Sequence, residues 1–183
     1  MFQLNLFSIL LLCTALIAIH AEDSYQPEQI HISYGALPSQ MIITWTTLSN
    51  VSDHVVEYGL NSLDLTAHGS YRILKNSGAS GRQTQIHYVL LNDLIPGEKY
   101  IYHCCSPKYG WSPLYFFTAM KKGQDWSPRF AVFGDMGNSN AQSLSMLQEE
   151  TLQGKFDAIL HVGDFAYDMV MVLISTNFEI IFF

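Results

Sequence analysis

Two short stretches hold residues whose types and spacing suit metal chemistry. "FGDMGNSN" contains Asp135, and "HVGDFAYD" contains Asp164 and, three residues later, Tyr167. Each aspartate follows a glycine and closes an apolar run. Two carboxylates converging at strand ends would suit a hard cation. The glycine before each lets the chain turn sharply and keeps side-chain bulk away from the ion. A phenolate is a hard anionic donor as well, suited to a trivalent ion such as Fe³⁺, which gives the spacing of Tyr167 a use. A lone Gly-Asp pair is more often a turn or a helix cap. Two of them at corresponding positions of consecutive strands point to a site. His161 reads either as a group supporting a metal ligand or, preferred, as a strand residue with its ring in a polar gap, and Asn138 as a helix cap without a metal role.

The elements that must position these residues follow from the same segment. "RFAVFGD" and "DAILHVGD" are short continuous apolar runs of the kind buried parallel strands show. Between them, Asn140 to Gln153 predicts a helix, capped by Ser139 or Asn140, with Leu144, Leu147 and Thr151 on one face and Gly154 as its stop. Strand, helix, strand is a βαβ unit, which requires a parallel sheet. In such a sheet ligands collect beyond the carboxyl ends of the strands, where both aspartates lie.

Before this unit, Pro27 to about Ala119 has period two. Ile30, Ile32 and Tyr34 alternate with polar residues, as do Met41, Ile43 and Trp45, then Val56 and Tyr58, then Ile86, Tyr88 and Leu90, then Tyr100, Tyr102 and Cys104. "LYFFT" closes the series, and Tyr71 to Leu74 is a less regular member. About seven short strands separated by turn residues predict a two-sheet β-sandwich. The segment Leu94 to Tyr100 resembles the tyrosine corner of immunoglobulin-like and fibronectin type III modules, with Trp45 as the expected core partner of Tyr100. "KKGQDWSP" (121–128) is polar, ends in proline and reads as a linker.

The 183 residues carry a net charge of −7 with only nine Lys and Arg, and no basic run, which excludes a nucleic-acid surface. Leu4 to Ile19 is an apolar core followed by His20-Ala21-Glu22, read as a signal peptide (1–21) cleaved after Ala21, so the protein is expected to be secreted. Asn50-Val51-Ser52 is a glycosylation sequon that agrees with this. The adjacent Cys104 and Cys105 are expected to point to opposite faces of a strand, one thiol buried and one exposed, rather than to form a disulfide.

Gly134-Asp135-Met136-Gly137, followed by Gly163-Asp164-Phe165-Ala166-Tyr167, resembles the first two of five metal-binding blocks of purple acid phosphatases, within the calcineurin-like metallophosphoesterases. Most of that larger group carry a histidine two residues after the first aspartate. Here Gly137 stands there, and Tyr167 follows the second. The resemblance implies that Asp135 binds Fe³⁺, that Asp164 bridges it to a divalent ion (Zn, Mn or Fe), and that Tyr167 completes the ferric side. It further implies an acid phosphatase acting on phosphate monoesters, with a fibronectin type III-like N-terminal domain (27–120), a linker (121–128) and the start of the metallophosphoesterase domain (129–169).

The family's later blocks, Asn-His-Glu, a further His ligand and Gly-His-x-His, do not occur in these 183 residues, so no catalytic histidine is assigned. The last segment (170–183) is an apolar tail outside the resemblance, too short and too interrupted by Asn177 and Glu179 for a membrane span. The chain is therefore expected to be an N-terminal portion, inactive alone, with the sandwich as the part able to fold. The alternative is a secreted fibronectin-like binding module with a nonfunctional catalytic remnant.

Overall fold

The structure, a computed structural model, describes residues 25–75, 83–136 and 141–163. The chain divides into two compact units, the first ending at Met120 and the second starting at Lys121.

Among the described residues the first unit has nine strands: β1 (Glu28–Tyr34), β2 (Met41–Thr47), β3 (Val55–Gly59), β4 (Leu65–His68), β5 (Ser70–Lys75), β6 (Gln83–Leu91), β7 (Lys99–Ser106), β8 (Gly110–Trp111) and β9 (Tyr115–Thr118). One sheet runs β1-β2-β6-β5; the other runs β4-β3-β7-β8, with β9 also paired to β7. Every pair is antiparallel. Inward residues of both sheets meet in one core: Met41, Ile43, Trp45, Val89 and Leu91 from the first, Val56, Tyr58, Tyr100, Tyr102, Cys104 and Phe117 from the second. The two strands that periodicity did not reveal, β4 and β8, are four and two residues long, too short to display a period.

Alternation was right for β2, β3 and β7 but had the wrong phase in β6. There Gln85, His87, Val89 and Leu91 are buried, while Ile86, Tyr88 and Leu90 face outward. Pairing decides the phase: Met41, Ile43 and Trp45 sit opposite Leu91, Val89 and His87, and cross-strand partners share a face. Trp45 accordingly stacks on the His87 ring (centroids 5.0 Å, 11° between planes), not on Tyr100, whose ring neighbours are Tyr58 and Phe117.

The adjacent cysteines form no disulfide, as expected, but the expectation that one of the two thiols is exposed is overturned. Cys104 and Cys105 are both buried and both free. Cys105 has φ of +100°, which breaks the alternation, and it is flanked by Val55 of β3 on one side and Trp111 of β8 on the other. Burial pushes both thiols up, Cys105 to about 11, so neither is a ready nucleophile.

The turn before β7 has the hydrogen bond that a tyrosine corner requires: the Ile95 N–H donates to Tyr100 Oη at 3.0 Å. Gly97, at φ +84°, makes the bend, and its N–H reaches the Ala119 carbonyl at 3.1 Å.

In the second unit β10 (Phe130–Phe133), α1 (Leu144–Leu152) and β11 (Ala158–His161) follow in order, and β10 pairs β11 in parallel. The helix begins later than Asn140. The Leu144 N–H bonds the Ala141 carbonyl in a turn, and Ser143, without a side-chain capping bond, is the N-cap. Gly154, at φ +66°, ends the helix as expected, with its N–H on the Thr151 carbonyl at 2.8 Å. No residue of α1 is buried. Among the described residues no helix is long and apolar enough to cross a membrane.

Candidate metal centre

The parallel register sets Phe133 of β10 beside His161 of β11, so the two chains leave their strands side by side. The Val162 N–H bonds the Phe133 carbonyl at 2.8 Å, and the Asp135 N–H reaches the Gly163 carbonyl at 3.4 Å. Gly134 and Asp135 therefore lie next to Gly163 at the carboxyl edge, where a βαβ unit collects ligands. At the opposite end, Asp157 accepts from the Arg129 N–H at 2.7 Å, and the Arg129 guanidinium donates to the Gly154 carbonyl at 2.7 Å, fixing the starts of both strands.

The two glycines serve different purposes. Gly163 has φ of +119°, which side-chain-bearing residues rarely adopt, so only glycine suits the last position before Asp164. At the first pair it is Asp135 itself that adopts positive φ, +57°, which aspartate tolerates better than most residues. Gly134 supplies space instead: a Cβ there would lie 3.3 Å from the Gly163 carbonyl oxygen.

Of the predicted ligands, Asp135 is described. It is an exposed carboxylate at the strand end, a hard oxygen donor. Asp164 and Tyr167 lie outside the described residues. Among the described residues no three His, Cys, Asp or Glu side chains lie close enough together to hold an ion. His161 is half-buried, with its ring edge-on to Phe133 at 5.0 Å. Asn50 is exposed in the loop after β2, beside a cleft of about 370 Å³ lined by Leu48, Ser49, Ile73, Gln83 and Gln85.

Residues 27–119 match the family described as "Purple acid Phosphatase, N-terminal domain". The chain belongs to the purple acid phosphatase family. It is 52% identical over 147 residues to acid phosphatase type 7 of Danio rerio (79% of this chain, 33% of that protein). It is 44% identical over 149 residues to the protein of the same name in Homo sapiens (80% and 34%). A more distant relative in Arabidopsis thaliana, named Fe(3+)-Zn(2+) purple acid phosphatase 12, is 28% identical over 143 residues (77% and 30%). A purple acid phosphatase isolated from yellow lupin (Lupinus luteus) seeds shares the fold, with a TM-score of 0.61 at 24% identity, over 77% of this chain and 30% of that one. The chain thus spans about a third of the length of the curated relatives it matches.

Two histidine clusters in the first unit of this purple acid phosphatase chain were not evident from spacing. His103 Nε2 lies 2.8 Å from Glu57 Oε2, directly across the β3–β7 pair, and its ring stacks on Trp111 at 3.9 Å. His54 and His87, 33 residues apart, face each other at 2.9 Å between their Nδ1 atoms. Reading "QTQIHYVLL" in its other phase would have placed His87 in the core.

Proposed function

We propose that this chain supplies the N-terminal domain and the first metal-binding strand ends of an acid phosphatase that hydrolyses phosphate monoesters at a binuclear Fe(III)–M(II) centre. The observation supporting this reading is that Asp135 and Gly163, the residue before Asp164 in sequence, sit side by side at adjacent parallel strand ends, in a chain of this family. Asp135 is the ferric ligand, Asp164 the bridge and Tyr167 the phenolate on the ferric side. M is Zn, Mn or Fe, a choice supported by the name of the Arabidopsis relative. When bound, two such ions polarise a phosphoryl oxygen and neutralise developing charge. The chain's own contribution is placement: β10 and β11 hold the two strand ends in register, and the positive φ at Asp135 and Gly163 directs the chain out of the sheet.

Residues 27–120 are read as a fibronectin type III-like sandwich, supported by the two antiparallel sheets around one core and by the Tyr100 corner. Residues 121–128 are the linker and 129–169 the start of the catalytic domain. Without the later histidine blocks, the 183 residues alone are expected to be inactive.

In the enzyme complete with those blocks, Asp135→Asn is expected to lower phosphate-monoester hydrolysis by more than the roughly 10–100-fold typical of residues that only support a metal ligand. Full activity in that variant would remove the assignment. A second reading, a secreted binding module, is favoured by the concentration of buried residues in the first unit. A visible absorption band on adding Fe³⁺ to this chain, lost in Tyr167→Phe, separates the first reading from the second.

The protein is also read as secreted and glycosylated at Asn50. Treating the natural protein with an N-glycosidase should lower its mass, and Ser52→Ala should abolish the difference; an unchanged wild-type mass would refute the modification.

A further inference from the structure

His87 is fully buried, stacked on Trp45, and sits at the centre of a hydrogen-bond chain whose direction is determined at one end. Thr47 Oγ1 lies 2.9 Å from the Ser49 carbonyl, to which only its hydroxyl hydrogen can be given. The same oxygen lies 2.9 Å from His87 Nε2 and must accept from it. The His87 proton is therefore on Nε2, its Nδ1 is an acceptor, and the His54 Nδ1–H donates to it at 2.9 Å.

This chain joins three pieces of the unit. His54 closes the loop that follows β2, its carbonyl accepts from the Gly69 N–H at 2.9 Å, and the Tyr71 ring of edge strand β5 lies 4.8 Å from the His54 ring. The groups acting on the pair are Asp53, whose charge raises His54, and the Tyr71 ring from β5, which lies near both imidazoles; His68 of β4 and Cys105 of β7 sit across from Val55, the residue after His54. Trp45 and Thr47 of β2 bring no charge.

We propose that the His54–His87 pair is an acid-operated latch that holds the Leu48–His54 loop, with its contact to Tyr71 of edge strand β5, on the sheet while at most one of the rings is charged.

A first proton can enter His54 at Nε2 without disturbing any bond in the chain. A second must enter His87 at Nδ1, the atom that accepts from His54. It sets N–H against N–H and one positive ring against another, in a place shielded from water. The two rings then separate, and His54 takes its loop and its contact with Tyr71 away from the sheet. The direction of the pH effect follows. Burial, then the neighbouring His54, lowers His87 to about 4, and burial lowers His54 too. Unfolded, both titrate near 6.5. Below that pH the unfolded chain binds more protons than the folded one, so stability falls as pH drops from about 6.5 towards 4, and is fully present above.

The test is amide hydrogen exchange of β5 and the Leu48–His54 loop across this range in the whole chain, with nitrogen NMR of the two imidazoles alongside. Protection is expected at neutral pH and lost in acid, with His87 carrying its proton on Nε2. In His54→Gln, the amide donates to neutral His87 and, turned over, accepts from the charged ring, so the pair survives either state. Opening should then need about a tenfold higher proton activity than in the wild type. Equal midpoints in variant and wild type would overturn the latch. If the variant does not fold at neutral pH, the wild-type titration decides: two protons taken up with protection of the Leu48–His54 loop intact overturns the proposal, and loss of that protection with the second proton sustains it.

Discussion

Trp45→Ala is expected to cost the first unit about 3–5 kcal/mol, the usual range for a buried tryptophan truncated to alanine. That is a large part of the roughly 5–15 kcal/mol by which domains are stable. The side chain has no exposed surface and is among the largest fully buried groups. Its removal takes away the flat surface on which His87 stacks and leaves the base of the His54–His87–Thr47 chain without support. Trp45→Phe should behave differently. The indole Nε1 is buried and has no hydrogen-bond partner in the structure, so phenylalanine loses volume but also removes an unsatisfied donor. Its expected cost is below about 2 kcal/mol, in keeping with a swap that keeps an aromatic body in the core. Denaturant unfolding of both variants checks the order. A phenylalanine variant as unstable as the alanine one would mean that the indole N–H is hydrogen bonded in solution.

How much of this was legible in the sequence depended on whether a local signal or a pairing decided the outcome. The βαβ unit was legible because two continuous apolar runs, each closed by Gly-Asp, leave few alternatives to parallel strands, although of β10 and β11 only Ala131 is buried here, not the whole runs as expected. The corner at Tyr100 was legible because its donor, Ile95, lies five residues away. The phase of β6 was not legible locally: "QTQIHYVLL" offers apolar residues on both faces, and only its pairing with Trp45 and its neighbours selects the one that buries His87. Cys105 departs for a similar reason. Its positive φ and its position between β3 and β8 follow from tertiary pairing, which strand alternation does not encode. At the candidate site, the side-by-side strand ends were legible from the two apolar runs, while the different conformations of Gly134 and Gly163 required backbone angles.

That difference leads to the second large effect, expected in the enzyme complete with its later blocks. Gly163→Ala should lower phosphate-monoester hydrolysis on the order of 100-fold, while Gly134→Ala should cost much less. A Cβ at Gly163 would meet nothing within 4 Å, so its penalty is entirely backbone strain at φ +119°, about 1–3 kcal/mol for a residue held in so sparse a region. The chain can escape that strain by turning away from this conformation. Doing so moves the next residue, Asp164, and loosens the Asp135 N–H from the Gly163 carbonyl, so both proposed ligands shift together. Displacement of catalytic groups by about 1 Å commonly costs around 100-fold. At Gly134 the added methyl meets the Gly163 oxygen at 3.3 Å, a contact that a few tenths of an ångström relieves, and no positive φ is imposed there. Activity with a phosphate monoester, measured beside thermal unfolding of the two variants, distinguishes strain at the strand end from general loss of stability. Near-normal activity in Gly163→Ala would mean that the turn into Asp164 does not position a ligand, and the assignment of Asp164 as the bridging carboxylate would fail with it.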